Sequence, residues 1–183
     1  MLRKQGMKRS MARFDIVGQL GSLRRYARSL TRDGADAEDL VHDALVRAYE
    51  RRATFRAGGN LRAWLFSITH NLFIDRMRSR RSEAARVEQA GHLAEASMPA
   101  PQDHSVRLAE VRQAFLALPD EQRSALHLVA VEGLSYQQAA DVIGVPLGTL
   151  MSRIGRARAA LREMEEGASA KARPNLRIVG DER

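Results

Sequence analysis

Nowhere in this chain do apolar and polar residues alternate one by one in a sustained run bounded by turn residues. Apolar side chains recur at threes and fours almost throughout, a spacing that suits helices and excludes a sheet. The chain therefore reads as all-α. Phe14, Val17, Leu20, Leu23, Ala27 and Leu30 mark a first amphipathic helix, broken at Gly34. A second opens on Asp36, Glu38 and Asp39, acids that favour the positive end of a helix dipole, and carries Leu40, Val41, Ala44, Leu45, Ala48 and Tyr49 on one side. After a loop at Gly58 and Gly59, a third runs from about Leu61 to Arg80, with Leu61, Trp64, Leu65, Ile68 and Leu72 as its core stripe. These three make a small bundle, preceded by a flexible basic arm at 1–12.

Residues 87–104 differ in kind. They hold four alanines, a glycine, a serine and two prolines with no periodic apolar stripe, and contain Glu88, Glu95 and Asp103 but no lysine or arginine. This is a flexible acidic linker over 85–104, serving either solubility or a specific role. A second block, 105–166, follows. Val106, Ala109, Phe115 and Leu118 form its first stripe, Pro119 suits the first turn of the next helix, and Gly133 ends that helix. In "SYQQAADVIG", Ser135 and Gln138 make a capping-box signature and Gly144 a terminator; Pro146 then starts the last helix. The tail, 167–183, is short, polar and expected to be disordered.

The 183 residues suffice for two small domains, and a formal charge of +8 favours a polyanionic partner. The absence of cysteine excludes disulfides and thiolate chemistry. The basic amino-terminal segment holds no continuous apolar run fit for a signal peptide or a membrane span, so a cytoplasmic protein without membrane insertion is expected. His42, His70, His92, His104 and His127 lack metal-ligand spacing, and there is no phosphate loop or nucleophile motif. Neither an enzyme nor a bound cofactor is expected.

Two short helices joined by a glycine turn, the second one basic, form the pattern of a helix-turn-helix. In that motif the second helix enters the major groove. Thr149, Ser152, Arg153 and Arg156 share one face of it, while Leu150, Ile154, Ala157 and Leu161 share another, so that one side packs and the other reads DNA. In the first block, "NLRAWLFSITHNLFIDRMRSRRS" (60–82) interleaves Trp64, Phe66 and Phe73 with Arg76, Arg78, Arg80 and Arg81. Rings beside guanidinium groups suit unstacked bases, although Trp64 also lies on the core stripe. Four arginines within six positions repel one another unless an anion lies near.

Three separated motifs occur in one order: "DAEDLVHDALVRAYE", "NLRAWLFSITHNLFIDRMRSRR" and "LPDEQRSALHLVAVEGLSYQQAADVIGVPLGTLMSRIGRARAAL". Over about residues 13–165 the chain resembles the extracytoplasmic-function sigma factors, the smallest specificity subunits of bacterial RNA polymerase. The resemblance implies a three-helix sigma region 2 at 13–84 and a four-helix region 4 with its helix-turn-helix at 105–166. It implies as partners core RNA polymerase, promoter DNA and an anti-sigma factor that restrains the protein until a stress signal arrives, the chain being a monomer outside the holoenzyme.

The same resemblance assigns sites. Asp36, Asp39, Leu40, His42 and Asp43 are expected to dock on the polymerase clamp, with His42 standing where the family usually has glutamine. The loop "TFRAGGN" is expected to capture a flipped −10 base, giving roles to Phe55, Asn60, Trp64 and Asn71, with Arg76, Arg78, Arg80 and Arg81 supporting the opened duplex. Ser135, Thr149, Met151, Ser152, Arg153, Arg156 and Arg158 are expected at the −35 element. Met151 and Gly155 replace residues that are commonly basic or polar there, so −35 preferences do not transfer from other members. The alternative, an autonomous helix-turn-helix regulator, accounts for 134–161 but leaves the arginine cluster and the acidic linker without work.

Overall fold

The computed structural model describes residues 15–56, 58–89 and 106–171. The expected amino-terminal arm, Phe14, the linker beyond residue 89 with Glu95 and Asp103, and the tail beyond residue 171 lie outside the described residues. Among those described there are seven α-helices and no strand. A 3-10 turn at Val17–Gln19 leads into α1 (Leu20–Thr31), and α2 (Gly34–Glu50) follows directly. Asp33 caps α2 by accepting the amide of Asp36 at 2.8 Å, because the first amides of a helix have no partner within it. A 3-10 turn at Arg52–Thr54 and a loop lead to α3 (Leu61–Gln89), which continues nine residues past the expected end at Arg80.

The second unit holds α4 (Val106–Ala117), α5 (Asp120–Leu126), α6 (Tyr136–Ile143) and α7 (Leu147–Lys171). Pro119 sits just outside α5 as its N-cap. The helix does not simply run on to Gly133. It passes into a π-helical turn, His127–Val131, where the amide of Glu132 reaches back five positions to the carbonyl of His127 at 3.0 Å. The capping box of α6 is complete, Ser135 accepting from the amide of Gln138 while the Gln138 side chain accepts from the amide of Ser135. Gly144 ends α6 at φ +76°, a left-handed conformation that glycine adopts without a side-chain clash.

Burial follows the sequence periodicity with instructive exceptions. Leu23, Ala27 and Leu30 are buried as expected, but Val17 is exposed because the chain there is a 3-10 turn ahead of the helix. Tyr49 is 62 % exposed, with the Arg52 guanidinium 4.3 Å over its ring, since Ala48 and not Tyr49 continues the buried stripe of Leu40, Val41 and Ala44 into the last turn of α2. Phe66 and Phe73, read from sequence as rings for unstacked bases, are buried in the core, where a base does not reach them. Phe66 instead meets Tyr26 edge-on at 5.2 Å.

The two units pack on each other, α1 against α5 and α3 against α6, and polar groups run through the contact. Arg123 of α5 has no exposed surface. It donates to the carbonyls of Ser29 and Leu30 at the end of α1, to that of Leu118 at 2.6 Å, and to the carboxylate of Asp120 at 2.6 Å. Arg32, from the first unit, donates to the same carboxylate at 3.0 Å and to the Leu118 carbonyl at 3.2 Å. Tyr26 shares a hydrogen bond with His70 at 2.9 Å and lies 5.4 Å from the ring of His127.

Burial pushes both buried imidazoles down to about 4. For His70 the charge of Arg153 acts in the same direction, whereas for His127 the Glu132 carboxylate opposes the shift. Both rings are therefore neutral when folded at pH 7 and bind protons more readily unfolded, so stability is full above pH 6.5 and is lost as pH falls toward 4. Each accounts for on the order of 3 kcal/mol across that window. Thermal melts from pH 7.5 to 4.5 should show a steep drop in Tm below 6.5, and His127→Gln should flatten it; a Tm independent of pH over this range would contradict the neutral assignment.

Candidate nucleic-acid interface

Acidic and basic side chains assigned from sequence to two different partners meet each other. Asp36, Asp39, His42 and Asp43 lie toward the outside of α2, but Leu40 is wholly buried, so the expectation that it docks on a partner is overturned. At helical spacing, Leu40 falls on the stripe with Ala37, Val41 and Ala44, which faces α3 and the core. Arg76 pairs with Asp43 at 2.5 Å and also donates to the carbonyl of Asp39, while Arg80 pairs with Asp36 at 2.8 Å. These are the anions that the arginine cluster required. Arg78 and Arg81 stay exposed and carry no ion pair among the described residues.

Ahead of α3, the exposed Asn60 holds the helix start by accepting the amide of Ala63 on its Oδ1 at 3.1 Å. Phe55 packs at 5.3 Å against Trp64, which is half-buried against the core rather than free to stack. Asn71 is exposed farther along α3.

On the second unit, Leu150, Ile154 and Ala157 are buried and anchor α7, so its opposite side faces out. Thr149, Ser152, Arg153 and Arg156 line an open recess of about 400 Å3, together with Pro119, Glu121, Gln122 and Gly148. Arg156 donates to the Ser152 hydroxyl at 2.9 Å. The Arg153 side chain is only 17 % exposed, held by Glu121 at 2.8 Å. Met151 and Arg158 are exposed but lie outside the recess, and the Ser135 hydroxyl is engaged in its cap.

Several polar residues that organise these surfaces escaped the sequence reading. Glu132 is wholly buried, and its two oxygens take hydrogen bonds from Arg25 of α1, at 3.1 and 3.2 Å, and from Arg62 of α3. Burial alone would raise its pKa, but the two arginines outweigh that and hold the carboxyl below its usual range. The only signal for it was a lone acid inside the apolar run "HLVAVEGL"; its partners, 107 and 70 positions upstream, left no mark in the local pattern. No group of three or more His, Cys, Asp or Glu suited to a metal occurs among the described residues, and no helix there is long and apolar enough to cross a membrane.

Comparison with known proteins bears on both units. Residues 17–83 match the family model of sigma-70 region 2, and residues 108–161 that of sigma-70 region 4. Over 149 residues the chain is 40% identical to the ECF RNA polymerase sigma factor EcfG of Rhodopseudomonas palustris, covering 81% of this chain and 82% of that one. Over 143 residues it is 38% identical to the ECF RNA polymerase sigma factor SigE of Mycolicibacterium smegmatis, covering 76% of this chain and 55% of that one. Among solved structures it is similar to the sigma factor RpoE of Bartonella quintana in complex with the anti-sigma factor NepR, with a TM-score of 0.69 and 33% identity over 88% of this chain and 98% of that one. CnrH in complex with the cytosolic domain of CnrY gives a TM-score of 0.58 and 30% identity over 91% of each chain.

The contrast between Leu40 and its acidic neighbours is measurable. Leu40→Ala should cost about 2–5 kcal/mol in urea unfolding, as cavity-forming core changes do. Asp43→Asn should cost under about 1 kcal/mol, because an exposed ion pair contributes little. A Leu40→Ala protein as stable as its parent would return that side chain to the surface.

Proposed function

The chain belongs to the extracytoplasmic-function RNA polymerase sigma factors, and from that premise we propose how its surfaces divide the work of initiation. Sigma factors bind core polymerase, recognise the −35 and −10 promoter elements and promote melting, acting as transcription factors and not as enzymes. In this chain the strip of Asp36, Asp39, His42 and Asp43 on α2 docks on the polymerase. The loop before α3 takes a flipped −10 base, with Phe55 and Trp64 as its wall and the amide NH2 of Asn60 as a donor. Flipping costs a few kcal/mol of stacking and pairing, which such a pocket offsets. Asn71, Arg78 and Arg81 line the strand's exit along α3, and Arg76 and Arg80 join them once their carboxylates are engaged by the polymerase.

The −35 element is read by α7. The observation that carries this reading is the helix-turn-helix itself: a capped α6, a left-handed Gly144, and an anchored α7 that turns Thr149, Ser152 and Arg156 out together. An arginine fork on a guanine gives about 1–3 kcal/mol of discrimination. Arg153 provides one by exchanging Glu121 for a base edge. An autonomous regulator would leave the region 2 half of the chain without a role.

Reading both elements at once requires the two units to part. The elements are named for positions about 25 base pairs apart, roughly 85 Å of duplex at 3.4 Å per step, whereas α3 and α6 touch here. Core polymerase sets the open spacing and raises the effective concentration of the second contact. Restraint by an anti-sigma factor, release by a stress signal and a cytoplasmic setting complete the proposal, supported by solved relatives found in complex with NepR and CnrY.

Purified chain mixed with bacterial core polymerase lacking any sigma factor should give run-off transcription from a subset of promoter fragments sharing −35 and −10 elements. Asn71→Ala should weaken dependence on the −10 sequence and Arg153→Ala dependence on the −35 sequence. Absence of core binding and of initiation would leave the proposal without support.

A further inference from the structure

Glu132 is the one carboxylate buried among the described residues, and it belongs to the second unit while both of its arginines belong to the first. Arg25 presents Nε and Nη2 to the two oxygens, a planar fork, and Arg62 adds Nη2 from another helix. This arrangement is built by the first unit's own groups. The Ser22 hydroxyl accepts from Arg25 at 3.0 Å, and the Phe66 ring lies under the Arg62 guanidinium at 5.5 Å. When the units part, the fork keeps its shape and loses its anion. Two guanidinium groups are then left close together, and the Nε of Arg62 already lacks an acceptor.

A paired arginine fork that accepts a carboxylate also fits a phosphate, with the same bidentate geometry. Its position names the source, because Arg62 lies two residues after Asn60, on the first turn of the helix that follows the base-capturing loop. We propose that Arg25 and Arg62 form a binding site for a backbone phosphate of the −10 strand, and that Glu132 occupies this site in the closed chain as a stand-in for the phosphate. Closing the two units and binding the melted strand then compete for the same two side chains. This rests on the assignment of the −10 element to the first unit, and adds to it a site and a built-in competitor.

The test uses the full chain and a fluorescein-labelled single-stranded DNA 12-mer of mixed sequence, followed by polarisation across a salt series. Glu132→Gln should bind the strand roughly fivefold more tightly, with a log–log salt slope steeper by about 0.7 for each phosphate newly neutralised. Adding Arg25→Gln and Arg62→Gln to that variant should abolish the tighter binding. Unchanged affinity, or tighter binding that survives loss of both arginines, would overturn the proposal.

A second measurement does not depend on the folding of the Glu132 variant. In holoenzyme with core polymerase the units are held apart, so Arg25→Gln/Arg62→Gln should lower run-off initiation about tenfold at saturating core. Initiation equal to or above that of the unmodified chain would show that the arginines serve only to hold the closed form, and would refute the site while leaving the sigma assignment intact. Failure of the unmodified chain itself to initiate would instead strike that assignment, and the phosphate site with it.

Discussion

The guanidinium of Arg123 is the constraint on which the closed structure rests. It has no exposed surface, and a buried charge is tolerated only if its donors find acceptors. Here they find backbone carbonyls at the end of α1, the carbonyl before α5 and the Asp120 carboxylate. The last carbonyls of a helix have no partner within it and carry the negative end of its dipole, so the arginine and the end of α1 satisfy each other. Neither unit can supply this alone. Burial lowers the pKa of the guanidinium while Asp120 opposes that shift, an arrangement that specifies one docking geometry more than it adds net stability.

The exposed pairs on α2 and α3 follow a different logic. Arg76–Asp43 and Arg80–Asp36 sit in water, are screened by salt and contribute little to stability. Such pairs exchange partners at small cost, as a surface that must meet both a polymerase and DNA requires. The chain thus carries two classes of ion pair: shallow ones within the first unit that trade partners freely, and the deep ones from Arg25 and Arg62 to Glu132, which part only when the units do.

What the sequence revealed was local. Ser135 with Gln138, Gly144, and the buried triplet Leu150, Ile154 and Ala157 are all legible because each depends on neighbours three or four positions away. The polar side of α7 followed from the same periodicity. Errors arose where a stripe was extended past its helix, as at Val17, or where an exposed strip was taken to include the residue between its acids, as at Leu40. Phe66 and Phe73 were misplaced because an aromatic beside arginines looks alike in a core and in a binding face. Arg123 and Glu132 were illegible for another reason. Their partners in the first unit lie some 70 to 107 positions upstream, and no local spacing encodes a contact between units so far apart in sequence.

The π turn after α5 carries one residue more than an α-helix would hold over the same span. Each residue of an α-helix turns the chain by about 100°, and the wider π turn takes up the surplus residue without passing that rotation on to Glu132. A single-residue deletion in 127–131 would relax the turn to regular helix over the same span, leaving Glu132 and the start of α6 near their present bearing. The segment therefore tolerates the loss of one residue where an ordinary helical turn would not.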